Sequence, residues 1–249
     1  MYNDLKWFSV LFVSVLMTTV GWCACAVMGA VPQPGGRPTI EHGSFIVHVG
    51  CGDGVSTAAL RVGEHQVVQG LTTHREMVGQ ARENIQAMGL YGDVSVRYWD
   101  GGRLPYADNM TNVLLVDAPD EVEPAEIERV VAPGGTAYIR NDDRWRKTVK
   151  QRPQDMGEWL HWQHGPDANA VSQDRLVGPP KHLQWVAPPR WQTHHDMVPS
   201  ITAMVTAGGR VFYIVNETAV GVRGLPDKWR LVARDAFNGV TLWKRKVPE

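Results

Sequence analysis

Apolar residues follow two rhythms along this 249-residue chain, and the change of rhythm divides it. Up to about residue 141, short continuous apolar runs alternate with stretches of helical spacing. Runs at 45–49, 66–71, 94–98, 112–116 and 136–139 have the unbroken character of strands buried on both faces. Between them, 55–62, 75–88 and 124–131 read as helices, with Met77, Ala81, Ile85 and Met88 recurring along one side of the second. Such alternation predicts an α/β domain built on a doubly wound parallel sheet.

Beyond Pro153 the alternation stops. His182-Leu-Gln-Trp-Val-Ala187 reads as a short strand. Residues 201–207 and 210–215, joined by Gly208-Gly209, predict a hairpin; 230–235 and 240–244, turning at Asn238-Gly239, predict a second. Four antiparallel strands make an all-β unit with two faces and nothing of its own to cover them. Tryptophan usage shifts close to the same place: Trp99 is the only one between the N-terminal segment and Asp143, whereas Trp145, Trp159, Trp162, Trp185, Trp191, Trp229 and Trp243 crowd the remainder.

The N-terminus has a different character. Residues 7–30 carry no charge, and Phe8-Ser-Val-Leu-Phe-Val-Ser-Val-Leu-Met has the make-up of a signal-peptide core. Ala24-Cys-Ala26 places small residues where cleavage occurs. An uncleaved anchor is the alternative, since the run is long enough to span a bilayer. The expected organisation is therefore a signal peptide or anchor at 1–26, a Pro/Gly linker at 27–40, an α/β domain at 41–141, a connecting segment at 142–180 and a β unit at 181–249. On this reading the chain is exported to the periplasm or anchored facing it, and touches membrane only through its N-terminal segment. A net charge of −1 argues against nucleic acid as the main partner. Cys23, Cys25 and Cys51 build no disulfide framework. Cys51, between two glycines, reads as a small residue filling a tight turn rather than a nucleophile.

Candidate chemistry gathers in Phe45-Ile-Val-His-Val-Gly50-Cys-Gly52-Asp-Gly54. A buried strand ending in glycines at alternate positions delivers bare N–H groups at a helix start, a cradle for the polar end of a nucleotide-like ligand. Val55 stands where the nicotinamide fingerprint needs glycine. The turn instead resembles the first motif of class I S-adenosylmethionine-dependent methyltransferases. Gly70-Leu-Thr72 with His74 to Ile85 resembles that family's second strand and helix. Asp100 with Leu104-Pro105-Tyr106-Ala-Asp108-Asn109 resembles its third motif, and Glu126 to Gly135 the approach to its fifth strand.

The resemblance implies a Rossmann-like fold and S-adenosylmethionine as cofactor, bound by Gly50, Gly52, Gly54, Asp100 and the position of Thr72. Two acidic residues of the family pattern are replaced: His48 stands where one holds the cofactor's amino-acid end, and Thr72 where another grips the ribose hydroxyls. A hydrogen bond to a charged acceptor contributes roughly 1.5–3 kcal/mol, so losing the ribose pair weakens binding by about 100-fold. The closing antiparallel strands of the family and a general base are not visible in the sequence.

The unit from Leu231 through Asp235-Ala-Phe-Asn-Gly239 to Trp243 resembles quinoprotein-like β-propeller repeats, which implies the first blade of a propeller, truncated here. Some propellers of that kind hold pyrroloquinoline quinone; sites of that type draw on many blades, so this chain alone is not expected to hold it. His161-Trp-Gln-His164 and His194-His195-Asp196 raise a metal site, but the loop between them does not force convergence, and no metal ligand is assigned. Taken together, the sequence points to an exported, noncatalytic binding or scaffolding protein of the cell envelope, with envelope proteins or further blades as partners. The alternatives are an active methyltransferase and the front part of a quinone-dependent dehydrogenase.

Overall fold

A computed structural model describes residues 44–142, 144–176, 178, 183–188, 200–219 and 224–248. The expected signal or anchor, the linker, His182 and the His194-His195-Asp196 group lie outside these residues. Among the described residues no helix is long and apolar enough to cross a membrane.

The first part is a six-stranded sheet in the order β3-β2-β1-β4-β5-β6. Its strands are β1 (Phe45–Val49), β2 (Val67–Thr72), β3 (Val94–Tyr98), β4 (Thr111–Val116), β5 (Val131–Asn141) and β6 (Arg144–Val149). β1 to β5 are parallel, and β6 runs antiparallel to β5. Alternate strand residues point to opposite faces, so one apolar run feeds two cores. Ile46, Val68, Val96, Val113 and Leu115 pack with Ala81 and Ile85 of α2 (Met77–Ala87). Val47, Val49, Leu71, Leu114 and Val116 pack beneath α3 (Pro124–Val130) and the loop carrying Trp99 and Leu104. This is the Rossmann-like, doubly wound arrangement expected.

Several boundaries differ for local reasons. α1 spans only Val55–Ala58, not 55–62. After it the buried Gln66 side chain takes the N–H groups of Val62 and Gly63 at 2.8 and 2.9 Å, which holds that stretch out of a helix. β5 leaves α3 directly at Val131, and Pro133-Gly134-Gly135 lies inside it rather than before it. The register against β4 shifts there, between Thr111 and Val113. A Cβ at Gly135 would sit 2.8 Å from the Ala132 carbonyl and 2.9 Å from that of Asn112, so the irregularity needs glycine.

β6 falls in what reads as a connecting segment, and the sheet runs on past the expected boundary at residue 141. Its sequence, Arg-Trp-Arg-Lys-Thr-Val, is too cationic to read as a buried strand. As an edge strand it keeps those charges in solvent, while Lys147 and Trp145 lie opposite Tyr138 and Arg140.

The second part is a four-stranded meander, β7 (Ile201–Ala207), β8 (Arg210–Asn216), β9 (Trp229–Asp235) and β10 (Thr241–Lys246), in the order β10-β9-β8-β7. Gly208 and Gly209 take φ of 59° and 74°, the left-handed pair a two-residue hairpin turn requires. Tyr213, Val215 and Val232 form a small core on one face. Of the strand expected at 182–187, the described residues 183–187 form none: they are irregular, and Leu183 and Val186 are exposed. This segment works through side chains instead. Trp185 lies over the β9–β10 turn, donates from Nε1 to the Ala236 carbonyl at 3.0 Å, and covers Gly239 so closely that a Cβ there would meet its ring at 2.5 Å.

The two sheets are joined at the amino ends of the first sheet's strands. Asn112 on β4 donates to Asp235 Oδ2 at 2.8 Å and accepts from the Phe45 N–H at 2.8 Å and from Asn238 Nδ2 at 2.7 Å. Asn238 also donates to the Met110 carbonyl at 3.0 Å. Asp235 Oδ1 meanwhile accepts from the N–H groups of Phe237 and Asn238, folding the turn that presents these side chains. The β unit thus gains cover by docking its turn on the α/β domain.

Candidate functional site

The glycine turn closes β1 at the carboxyl edge of the sheet, where parallel α/β sheets open a crevice. Gly50, Gly52 and Gly54 have φ of 82°, 51° and 80°. Gly54 precedes α1, and a Cβ there would lie 3.0 Å from the Ala81 carbonyl of α2. Gly52 is exposed, and nothing lies within 4 Å of where its Cβ would be. The cradle is narrower than the glycine pattern suggests. The N–H groups of Gly50 and Cys51 are spent on the Leu71 carbonyl, at 3.0 and 3.1 Å, and that of Gly54 on the Cys51 carbonyl at 2.9 Å. Gly52 and Asp53 keep theirs unspent among the described residues.

Cys51 faces away from the crevice. It packs on β2 where a Cβ at Gly70 would meet its own Cβ at 2.7 Å, so Gly70 is the residue that admits it. Burial pushes the thiol up to about 12, and the charges of Asp53 and Glu121 add to the shift.

His48 is buried, and both ring nitrogens have neighbours. Nδ1 lies 2.8 Å from the hydroxyl of Thr57 on α1, and Nε2 lies 3.6 Å from Asp117 Oδ2 just beyond β4. A Thr57 hydroxyl donating to Nδ1 leaves the Nε2 proton facing Asp117. Asp117 also pairs with Arg140 of β5. His48 first, and then Arg140, hold the Asp117 carboxyl below its ordinary range, against a burial effect that raises it. The acid missing from β1 therefore has a counterpart one strand over, engaged by a histidine and a guanidinium.

Thr72 ends β2 with 2% of its surface exposed, and its hydroxyl accepts from the His74 N–H at 3.1 Å. It caps the turn into α2. Asp100 follows β3 and is exposed on the same edge of the sheet. The structure thus brings Gly50, Gly52, Gly54 and Asp100 to the same carboxyl edge of the sheet, with Gly52 and Asp100 exposed and Gly54 buried against α2, and turns Thr72 into the backbone.

Sequence reading missed Glu121. It ends a 3₁₀ turn, Pro119–Glu121, that leaves β4 and crosses toward β2. Its Oε1 accepts from the Thr73 hydroxyl at 2.7 Å, while Oε2 is buried and receives no hydrogen bond. Its carbonyl accepts from the Gly102 N–H at 2.9 Å, in the loop after Asp100. No motif marks this residue, because only the fold brings it beside β2.

Among the described residues no three His, Cys, Asp or Glu side chains gather as a metal site would require. His161 and His164 pair through their backbones, with the His164 ring against Trp159.

A family model described as a methyltransferase domain matches residues 46–135. The chain is 30% identical over 109 residues to methyltransferase GfsG of Streptomyces halstedii, covering 41% of this chain and 39% of that one. It is 32% identical over 125 residues to a phosphatidylethanolamine N-methyltransferase of Cereibacter sphaeroides, covering 45% and 60%. The chain thus spans 39% and 60% of the length of these curated relatives. Among solved structures, a SAM-dependent methyltransferase from Aquifex aeolicus is 26% identical, with 41% of this chain and 61% of that one covered at a TM-score of 0.36. The matched segment coincides with the strands, turn and loops at the carboxyl edge of the sheet, and residues 46–135 resemble a class I, S-adenosylmethionine-dependent methyltransferase domain.

Proposed function

We propose that the crevice at the carboxyl ends of β1, β2 and β3 binds S-adenosylmethionine and that the chain transfers its methyl group. The observation that carries this reading is the preserved turn: Gly52, with φ of 51°, stands open beside unspent N–H groups, on the same sheet edge as the exposed Asp100. In this reading the Gly52 and Asp53 N–H groups face the cofactor's polar end and Asp100 meets the adenine amino group. When bound, the cofactor supplies an electrophilic methyl group on a sulfonium.

A second reading is a noncatalytic binding or scaffolding module of the cell envelope. It is favoured by His48, engaged by Thr57 and Asp117, and by Thr72, turned onto the backbone. There the four-stranded meander, with Trp243 on its last strand, serves as the first blade of a quinoprotein-like propeller, and the partners are envelope proteins or further blades.

Calorimetric titration of the full chain with S-adenosylmethionine and S-adenosylhomocysteine separates the two. Micromolar binding supports the first reading. No binding by the natural chain, with binding gained by a His48→Asp/Thr72→Asp variant, supports the second.

A further inference from the structure

Three side-chain atoms among the described residues are buried without a hydrogen-bond partner: Arg61 Nε, Thr111 Oγ1 and Glu121 Oε2. The first two belong to the amino edge of the sheet, since Thr111 opens β4 and Arg61 pairs with Asp93 just before β3. Glu121 alone stands at the carboxyl edge. An orphaned buried acceptor costs free energy wherever no donor arrives, so its persistence beside a binding crevice points to a donor on the ligand.

The surroundings of Glu121 restrict what that donor can be. Its backbone is fixed on both sides, by its own N–H to the Ala118 carbonyl at 3.2 Å and by Gly102 donating to its carbonyl at 2.9 Å. Its Oε1 is held by Thr73, 48 positions earlier and next to Thr72. Its charge also acts on Cys51, inside the glycine turn. One carboxylate thus adjoins the glycine turn, the end of β2 and the loop after Asp100. A metal ion does not suit it, because no cluster of further ligands surrounds it among the described residues. A neutral group with two neighbouring hydroxyls does, since each O–H can donate to a carboxylate oxygen that is short of donors.

We infer that Glu121 supplies the carboxylate that grips the ribose hydroxyls of S-adenosylmethionine, in place of the acidic side chain missing at Thr72. This rests on the reading of the crevice as an S-adenosylmethionine site. It also removes the expected 100-fold penalty, because the charged acceptor is delivered from the end of β4 instead of the end of β2. Thr73 acts as a positioning residue that aims the carboxylate.

The test is calorimetric titration of the natural chain and of Glu121→Gln with three probes: S-adenosylhomocysteine, 5′-methylthioadenosine, and the 2′,3′-dideoxy form of the latter. Glutamine can still accept from Thr73, and an unchanged melting temperature verifies the fold. The expected result is a loss of roughly 10- to 100-fold for the first two probes and none for the dideoxy probe. Glu121→Asp, which keeps the charge but shortens its reach, is expected to lose at least fivefold on the same two probes. Equal affinities for natural and variant chains overturn the assignment while leaving the cofactor reading intact. A loss confined to S-adenosylhomocysteine overturns it as well, placing Glu121 at the amino-acid end. If the natural chain binds none of the probes, the cofactor reading itself falls, and this assignment with it.

Discussion

Cys51 shows how much a single position in the glycine turn depends on its neighbours. In the sequence it is a thiol between two glycines; in the fold it is a buried wedge against Gly70, with its ionisation pushed up to about 12 by desolvation. A thiolate is the reactive form, and at pH 8 this group has essentially none. Iodoacetamide at pH 8 is expected to leave Cys51 unmodified in the folded chain and to alkylate it once urea unfolds the domain, as read by peptide mass spectrometry. Modification in the native chain at the rate of a free thiol would remove the packing argument. His48 teaches the complementary point. Its replacement of an acid is plain from the sequence, but its engagement with Thr57 and Asp117 depends on α1 and β4 arriving beside it.

Among the elements, α3 does more than cover the sheet. Its Arg129 guanidinium bonds Glu126 at 2.7 and 2.6 Å, Asp108 at 2.8 Å, and the carbonyls of Tyr106 and Leu104 at 2.8 and 3.0 Å. Glu126 completes the clasp by accepting the Leu104 N–H at 2.8 Å. The loop after Asp100 is held against the sheet in this way, with no helix of its own. Arg129→Ala is expected to lower stability by about 2–3 kcal/mol in urea unfolding at pH 7, since it strands a buried carboxylate. Arg129 holds the Glu126 carboxyl below its ordinary range, with the Leu104 N–H assisting and burial opposing. The stability this contributes is full above the unfolded value of about 4.3 and is lost as pH falls through the depressed folded value. The curves for natural and variant chains should therefore converge on acidification from pH 5 to pH 2; a constant gap would refute the pairing. The resemblance marked Leu104, Asp108 and Glu126 as motif residues, but their union through Arg129 needed the turn of α3.

At the scale of the whole molecule, Asn112 is the hinge pin. One side chain ties the start of β1, Asp235 and Asn238, and so joins the α/β domain to the meander. A small sheet with a core of a few residues gains much of its stability from such docking. Asn238→Ala is therefore expected to split a single calorimetric unfolding transition into two, the lower belonging to the meander, and to speed tryptic cleavage after Arg152 and Arg175. A single unshifted transition would mean that the sheets are held together by other contacts.

The sequence by itself determined the alternation of buried strands and helices, the glycine turn and the two hairpins. These depend on local periodicity and on backbone conformations that glycine permits, both written in neighbouring residues. It missed β6, because an edge strand rich in arginine and lysine carries no burial pattern, and it overstated a strand at 182–187, whose Trp185 packs through its ring and not its backbone. Only the tertiary structure decided which carboxylates gather near the glycine turn. Thr72 turned onto the backbone, Asp117 met His48 and Arg140, and Glu121 arrived beside Thr73 from 48 positions away. Charge at a site depends on distance through space, and that distance is set by how the strands are ordered in the sheet, not by their order in the chain.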